Sequence, residues 1–127
     1  MADVLALDPS AGGAVRRSRE PASRLVAGVF STQPSVLAVG RHGIDEARSG
    51  EVPVALLGIV PTKVSAENGP IQVGDLLVTA ALPGRAMKAR PELVGGVAVY
   101  PTGAILGKAL EPLAAGTGTI SVLVTLR

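Results

Sequence analysis

Serine and lysine are the residues of this chain best suited to chemistry, because it has no cysteine and a single histidine. A serine nucleophile activated by a lysine needs the amine uncharged and within hydrogen-bond reach of the hydroxyl. Ser31 stands near the end of the apolar run Leu25–Thr32, and Lys63, Lys88 and Lys108 lie within or beside other apolar runs. Ser31 with Lys63 or Lys108 is therefore the catalytic pairing to consider. Spacing alone brings no serine to a lysine, so the reading without catalytic residues is preferred.

The other reactive types are less promising. His42 sits between Arg41 and Gly43 in a polar stretch, as an exposed histidine does. With no second imidazole and no thiolate, a histidine metal site is not expected, and no metal or cofactor is assigned. The carboxylates Asp3, Asp8, Glu20, Asp45, Glu46, Glu51, Glu67, Asp75, Glu92 and Glu111 are scattered, most of them in turns. Asp75 follows Gly74 at a corner, where a carboxylate accepts backbone N–H groups. Gly103-Ala104-Ile105-Leu106-Gly107-Lys108-Ala109 falls short of a phosphate loop in its spacing and lacks the Ser or Thr after the lysine.

The elements that must position these residues read as strands. Val52–Val64 and Ile71–Ala80 are rich in Val, Ile, Leu and Thr, which suit a pleated sheet surface. Both faces of Val52–Val64 are apolar, so cover on both sides is expected. Between the two runs, Glu67-Asn68-Gly69-Pro70 is a turn, since Asn68 and Gly69 tolerate positive φ and Pro70 fixes its own. Gly74-Asp75 makes the corner into the second strand, and Pro83-Gly84 turns it back into Arg85–Ala89.

Upstream, Ala2–Leu7, Ala14–Ser18, Leu25–Thr32 and Ser35–Val39 are expected strands. Gly28 lies inside one of them, and an interior glycine marks a bulge or a close backbone approach. Gly40–Gly50 is the most polar segment and reads as a mobile surface loop, with one helical turn at Asp45-Glu46-Ala47-Arg48. Downstream, Arg90–Gly96 reads as a loop, Val97–Tyr100 as a short strand, and Gly103–Leu110 as a strand interrupted by Gly107. Thr119–Arg127 alternates Ile120, Val122, Val124 and Leu126 against Thr119, Ser121, Leu123 and Thr125. Up to about nine short strands with Gly/Pro-rich turns predict an all-β small barrel or sandwich, taken as one domain over residues 1–127.

Composition points the same way. Gly (16) and Pro (10) make up about a fifth of the chain, against roughly 12 % on average, so tight turns are many. One Phe, one Tyr and no Trp leave the core to Val, Leu, Ile and Ala, and argue against a sugar-binding aromatic platform. Hydrophobic residues reach 47 % and mean hydropathy is +0.44, more apolar side chain than a small monomer hides. The excess predicts a homo-oligomer, trimer or ring before filament. No apolar run approaches the roughly 18 residues of a spanning helix, so no membrane span is expected. A basic n-region is absent, so no signal peptide is read. Arg16, Arg17, Arg19 and Arg24 cluster, but net charge is only +2, and nucleic-acid binding is disfavoured.

An ordered set of motifs carries a resemblance. Val26-Ala27-Gly28-Val29-Phe30-Ser31-Thr32-Gln33-Pro34 is followed by Pro53-Val54-Ala55-Leu56 and Gly58-Ile59-Val60-Pro61-Thr62-Lys63-Val64. Next come Glu67-Asn68-Gly69-Pro70-Ile71, Gly74-Asp75-Leu76-Leu77 and Pro83-Gly84-Arg85-Ala86-Met87-Lys88-Ala89, then Ile105-Leu106-Gly107-Lys108-Ala109-Leu110-Glu111. From Asp3 to Leu126 the chain resembles a β-rich domain of bacterial surface and phage-tail-like proteins, similar to the peptidase G2 type of module. That resemblance implies an oligomeric β module on an extracellular appendage, filament or virion-like particle. An autoproteolytic activity comes with the family name, and it places no catalytic pair on particular residues here. The preferred function is a structural self-assembling module without catalysis; the alternative is a serine-dependent self-cleaving domain.

Overall fold

The computed structural model describes residues 1–31, 36–38 and 54–127, the short middle piece through its backbone. His42, Gly40–Gly50 with its expected helical turn, and Val52-Pro53 lie outside the described residues. Among the described residues there is no helix, and strand accounts for about 48 % of them, so the class is all-β.

Eleven strands are described: β1 (Val4–Leu7), β2 (Val15–Arg17), β3 (Val26–Phe30), β4 (Val36–Ala38), β5 (Val54–Ser65), β6 (Leu76–Thr79), β7 (Ala86–Lys88), β8 (Glu92–Val94), β9 (Val97–Val99), β10 (Gly107–Ala109) and β11 (Thr117–Val124). Nine of them form one sheet. Five of the nine, in the order β5-β11-β10-β6-β7, close on themselves into a small barrel. The remaining strands extend from β5, which is the longest strand at 12 residues. Its first residues pair with β3 and β4, one through Val29↔Ala55 and the other through Leu37↔Ala55. From Gly58 onward it pairs with β11 over eight residues, Gly58↔Val124 to Ser65↔Thr117. Gly58 has φ 118°, a conformation open to glycine, at the point where the strand changes partners.

The barrel interior follows from alternation along β5 and β11. Val60, Thr62 and Val64 face in from β5; Ile120, Val122 and Val124 face in from β11. Leu77 of β6, Ala86 of β7, Ala109 of β10 and Leu106 join them in one buried cluster. Thr62, polar among the inward side chains of β5 and β11, is satisfied, because its Oγ1 donates to the Val60 carbonyl at 3.1 Å. Closure comes at a single parallel pair, Val64↔Ala86. Arg85 reinforces it by donating from its guanidinium to the carbonyls of Val64 and Gly118, at 3.2 and 3.3 Å. Each large aliphatic side chain sealed here contributes about 1.5–3 kcal/mol, which is how a core without Trp and with little other aromatic surface holds.

A second buried cluster lies outside the barrel. Val78, Ala80, Met87 and Ala89 point outward from the β6–β7 hairpin and are covered by Ala104 and Ile105. The chain is held there by reciprocal hydrogen bonds between Ile105 and Arg127. Thus the β6–β7 wall has a lid. The β5–β11 wall is different: Leu57 is 50 % exposed and Ile59 64 % exposed, so among the described residues the expected cover on both faces of β5 is missing.

Two further expectations change. Ile71–Ala80 is not one strand; the strand is Leu76–Thr79, and Ile71 makes an isolated bridge to Leu113 across the core. The break occurs where Gly74 adopts φ 93° and Asp75 Oδ2 accepts the Gln72 N–H at 2.8 Å. Arg90–Gly96, expected as a loop, contributes β8 and the tip of a β8–β9 hairpin. Gly95 and Gly96 have φ 58° and 81°, the pair of positive values that a two-residue hairpin turn of primed type requires.

Candidate functional site

Ser31, Lys63 and Lys108 are placed on three different strands or strand ends. Ser31 follows β3 and is buried. Lys108 is on the outer face of β10, exposed, in register with Leu123. Lys63 is on the outer face of β5, in register with Thr119, four residues away along β11. Its ammonium donates to Asp3 Oδ1 at 3.1 Å. A dyad asks the amine to accept a serine proton, whereas this one is committed as a donor to a carboxylate.

Asp3 is the centre of a cluster of three cations. Arg17 Nε lies 3.6 Å from Oδ1, and the Met1 ammonium 3.8 Å from Oδ2. The backbone explains its position. Ala2, at φ 68°, donates to the Phe30 carbonyl and accepts from the Lys63 N–H, while the Asp3 carbonyl accepts the Phe30 N–H. The N-terminal segment is thereby threaded between β3 and β5, with the Asp3 side chain only 17 % exposed. Gly84 packs against this cluster: a Cβ there would lie 2.5 Å from Asp3 Oδ1 and 2.8 Å from Arg17 Cγ. Beside it is a cavity of about 330 Å³ lined by Met1, Asp3, Leu5, Val15, Arg16, Arg17 and Phe30. No hydroxyl, thiol or imidazole lines that cavity. Its carboxylate is shared by three cations, and the arrangement braces the N-terminal strand.

Other carboxylates expected in turns work as local braces. Ser121 donates its backbone N–H to Glu111 at 2.6 Å, and this bond, helped by the Ser121 hydroxyl, holds the Glu111 carboxyl below its ordinary value. The Ser10 hydroxyl and then its N–H do the same for Asp8. Asn68 donates to the Lys88 carbonyl at 2.8 Å, and Gly69, at φ 112°, donates to Ala66. Gly28 combines φ 145° with a tight approach: a Cβ would meet the Ala55 carbonyl and come within 2.7 Å of Val54 Cγ1. At Gly107 a Cβ would run into the backbone of Leu123. Among the described residues no group of three His, Cys, Asp or Glu side chains converges as a metal site.

Among the described residues, uncovered apolar surface stands out in two places. One is the β5–β11 wall, with Leu57 and Ile59 exposed and Leu123 half-buried opposite Ile59. The other is the β8–β9 hairpin, which pairs with no other strand. Every residue of it is exposed, Leu93 at 76 %, with Val94, Val97, Val99 and the adjoining Tyr100 also open. Sequence reasoning missed the hairpin, though Leu93-Val94 and Val97 placed symmetrically about Gly95-Gly96 are a readable hairpin signal. It also missed Asp3 with Lys63, for which sixty residues of separation leave no local trace. No helix of the described residues is long and apolar enough to cross a membrane. No family model, curated protein or solved structure matches the chain.

Proposed function

We propose that the protein is a structural, self-assembling β module that works through association of copies of itself and not through catalysis. The observation that carries this reading is the bare outer wall of the barrel, where Leu57 and Ile59 stand half or more exposed on a strand whose other face is core. Singly exposed aliphatic residues are ordinary, but a contiguous apolar wall on a small barrel marks an interaction surface. The charge cluster supports the same reading, because Lys63 is held by Asp3 and braces the fold. Placement on an appendage, filament or phage-tail-like particle rests on the motif resemblance.

Sedimentation at micromolar protein, in low salt and in molar salt, tests it. A trimer or ring stable in both conditions is expected, since screening weakens exposed ion pairs and leaves apolar burial intact. A monomer in both overturns the proposal. Intact mass on the same sample tests the self-cleaving alternative: one species of full mass speaks for assembly without cleavage, two fragments for proteolysis.

A further inference from the structure

We propose that the β8–β9 hairpin is an arm that docks on the uncovered β5–β11 wall of a second copy of this chain. The inference rests on the self-assembly reading and names its contact. The hairpin is a sheet of its own, and a lone two-stranded hairpin is marginal in water without a surface to pack on. Cross-strand register puts Leu93 with Ala98 on one face, and Val94, Val97 and Val99 with Glu92 on the other. Either face therefore carries apolar side chains that can lie on a partner's surface.

The arm is rooted between Ala89 and Ala104, both packed in the cluster that covers the β6–β7 wall. The bare stripe of Leu57, Ile59 and Leu123 belongs to β5 and β11. Both remain exposed in the single chain, so the arm does not cover its own stripe. The contact is therefore heterologous, arm of one copy to wall of the next, and closes into a ring or runs on as a filament. Charge fits as well. Exposed Lys108 is in register with Leu123 at the margin of the stripe, and Glu92 stands at the base of the arm. The tip is free to slide in, since a Cβ on Gly95 or Gly96 would meet nothing within 4 Å.

The absence of cysteine makes this directly testable. Leu93→Cys and Ile59→Cys variants, carrying tags of different size, are co-expressed and mildly oxidised. The cross-linked heterodimer is expected in at least about tenfold excess over dimers from either variant alone, as thiols held adjacent react at high effective concentration. Val97→Cys with Ile59→Cys repeats the test from the other face of the arm, and a heterodimer from either pair supports the docking. Leu93→Cys dimerising with itself as readily as with Ile59→Cys overturns the inference in favour of arm-to-arm contact. So does an oligomer in sedimentation that yields no heterodimer with either arm variant; assembly then stands on another surface. A monomer in sedimentation overturns the assembly reading itself, and the arm with it.

Discussion

Replacing Gly107 with alanine is the sharpest test of the barrel packing. Gly107 pairs with Val124 on one side and Leu77 on the other, so it sits between two strands of the closed barrel. A Cβ built there would overlap the Leu123 carbonyl oxygen, lie 2.9 Å from its carbonyl carbon and 3.0 Å from Val124 Cα. All three atoms are backbone, so no side-chain rotation relieves the clash. Either β10 or β11 must shift, straining adjacent ladder hydrogen bonds worth about 1 kcal/mol each. Overpacking adds about 1–3 kcal/mol, while removing glycine's chain entropy returns about 0.5–1 kcal/mol. The net expectation is a loss of about 3 kcal/mol. For a chain of this size that is a fall in Tm of roughly 10 °C. Calorimetry or thermal circular dichroism reads it, with Gly12→Ala as the control. Gly12 has open space around it, and its replacement should change stability by less than about 1 kcal/mol. An unchanged Tm for Gly107→Ala alongside an unchanged control would refute the close approach of β10 to β11.

Two further outcomes follow from individual side chains. Ser18 is buried with its Oγ unpartnered, while its backbone bonds to Val4 and Gly84; Ser18→Ala removes an unpaid desolvation and should raise stability by about 1 kcal/mol in chemical denaturation, a loss of similar size counting against the assignment. Glu111 has its carboxyl held below the ordinary value of 4.5 by the Ser121 N–H, so its contribution is fully present above that pH and disappears as pH falls through the lower folded value. Acid unfolding of Glu111→Gln should therefore show a shallower decline below about pH 4.5 than the parent, and superimposable acid curves would remove Glu111 from the account.

The local chemistry of the chain was legible in its sequence, because it depends on near neighbours. Alternation in Thr119–Arg127 anticipated the inward set Ile120, Val122 and Val124, and the turn residues Asn68, Gly69 and Gly74 lie at real corners. The all-β class came from the same signals. What only the tertiary structure decided were relations between distant residues. Barrel rather than sandwich rests on β5 pairing with β11 and, through Val64↔Ala86, with β7, and those pairings have no local signature. Lys63 meets Asp3 across sixty residues, a contact with no local trace in the sequence. Gly107 shows nothing unusual in its own conformation; its need for glycine lies in the backbone of Leu123. Leu57 and Ile59 have the same residue types as the core, while Ala104 and Ile105 cover the β6–β7 wall and not theirs. Residue type states what a side chain prefers, while which apolar residues stay uncovered is settled by how the whole sheet closes.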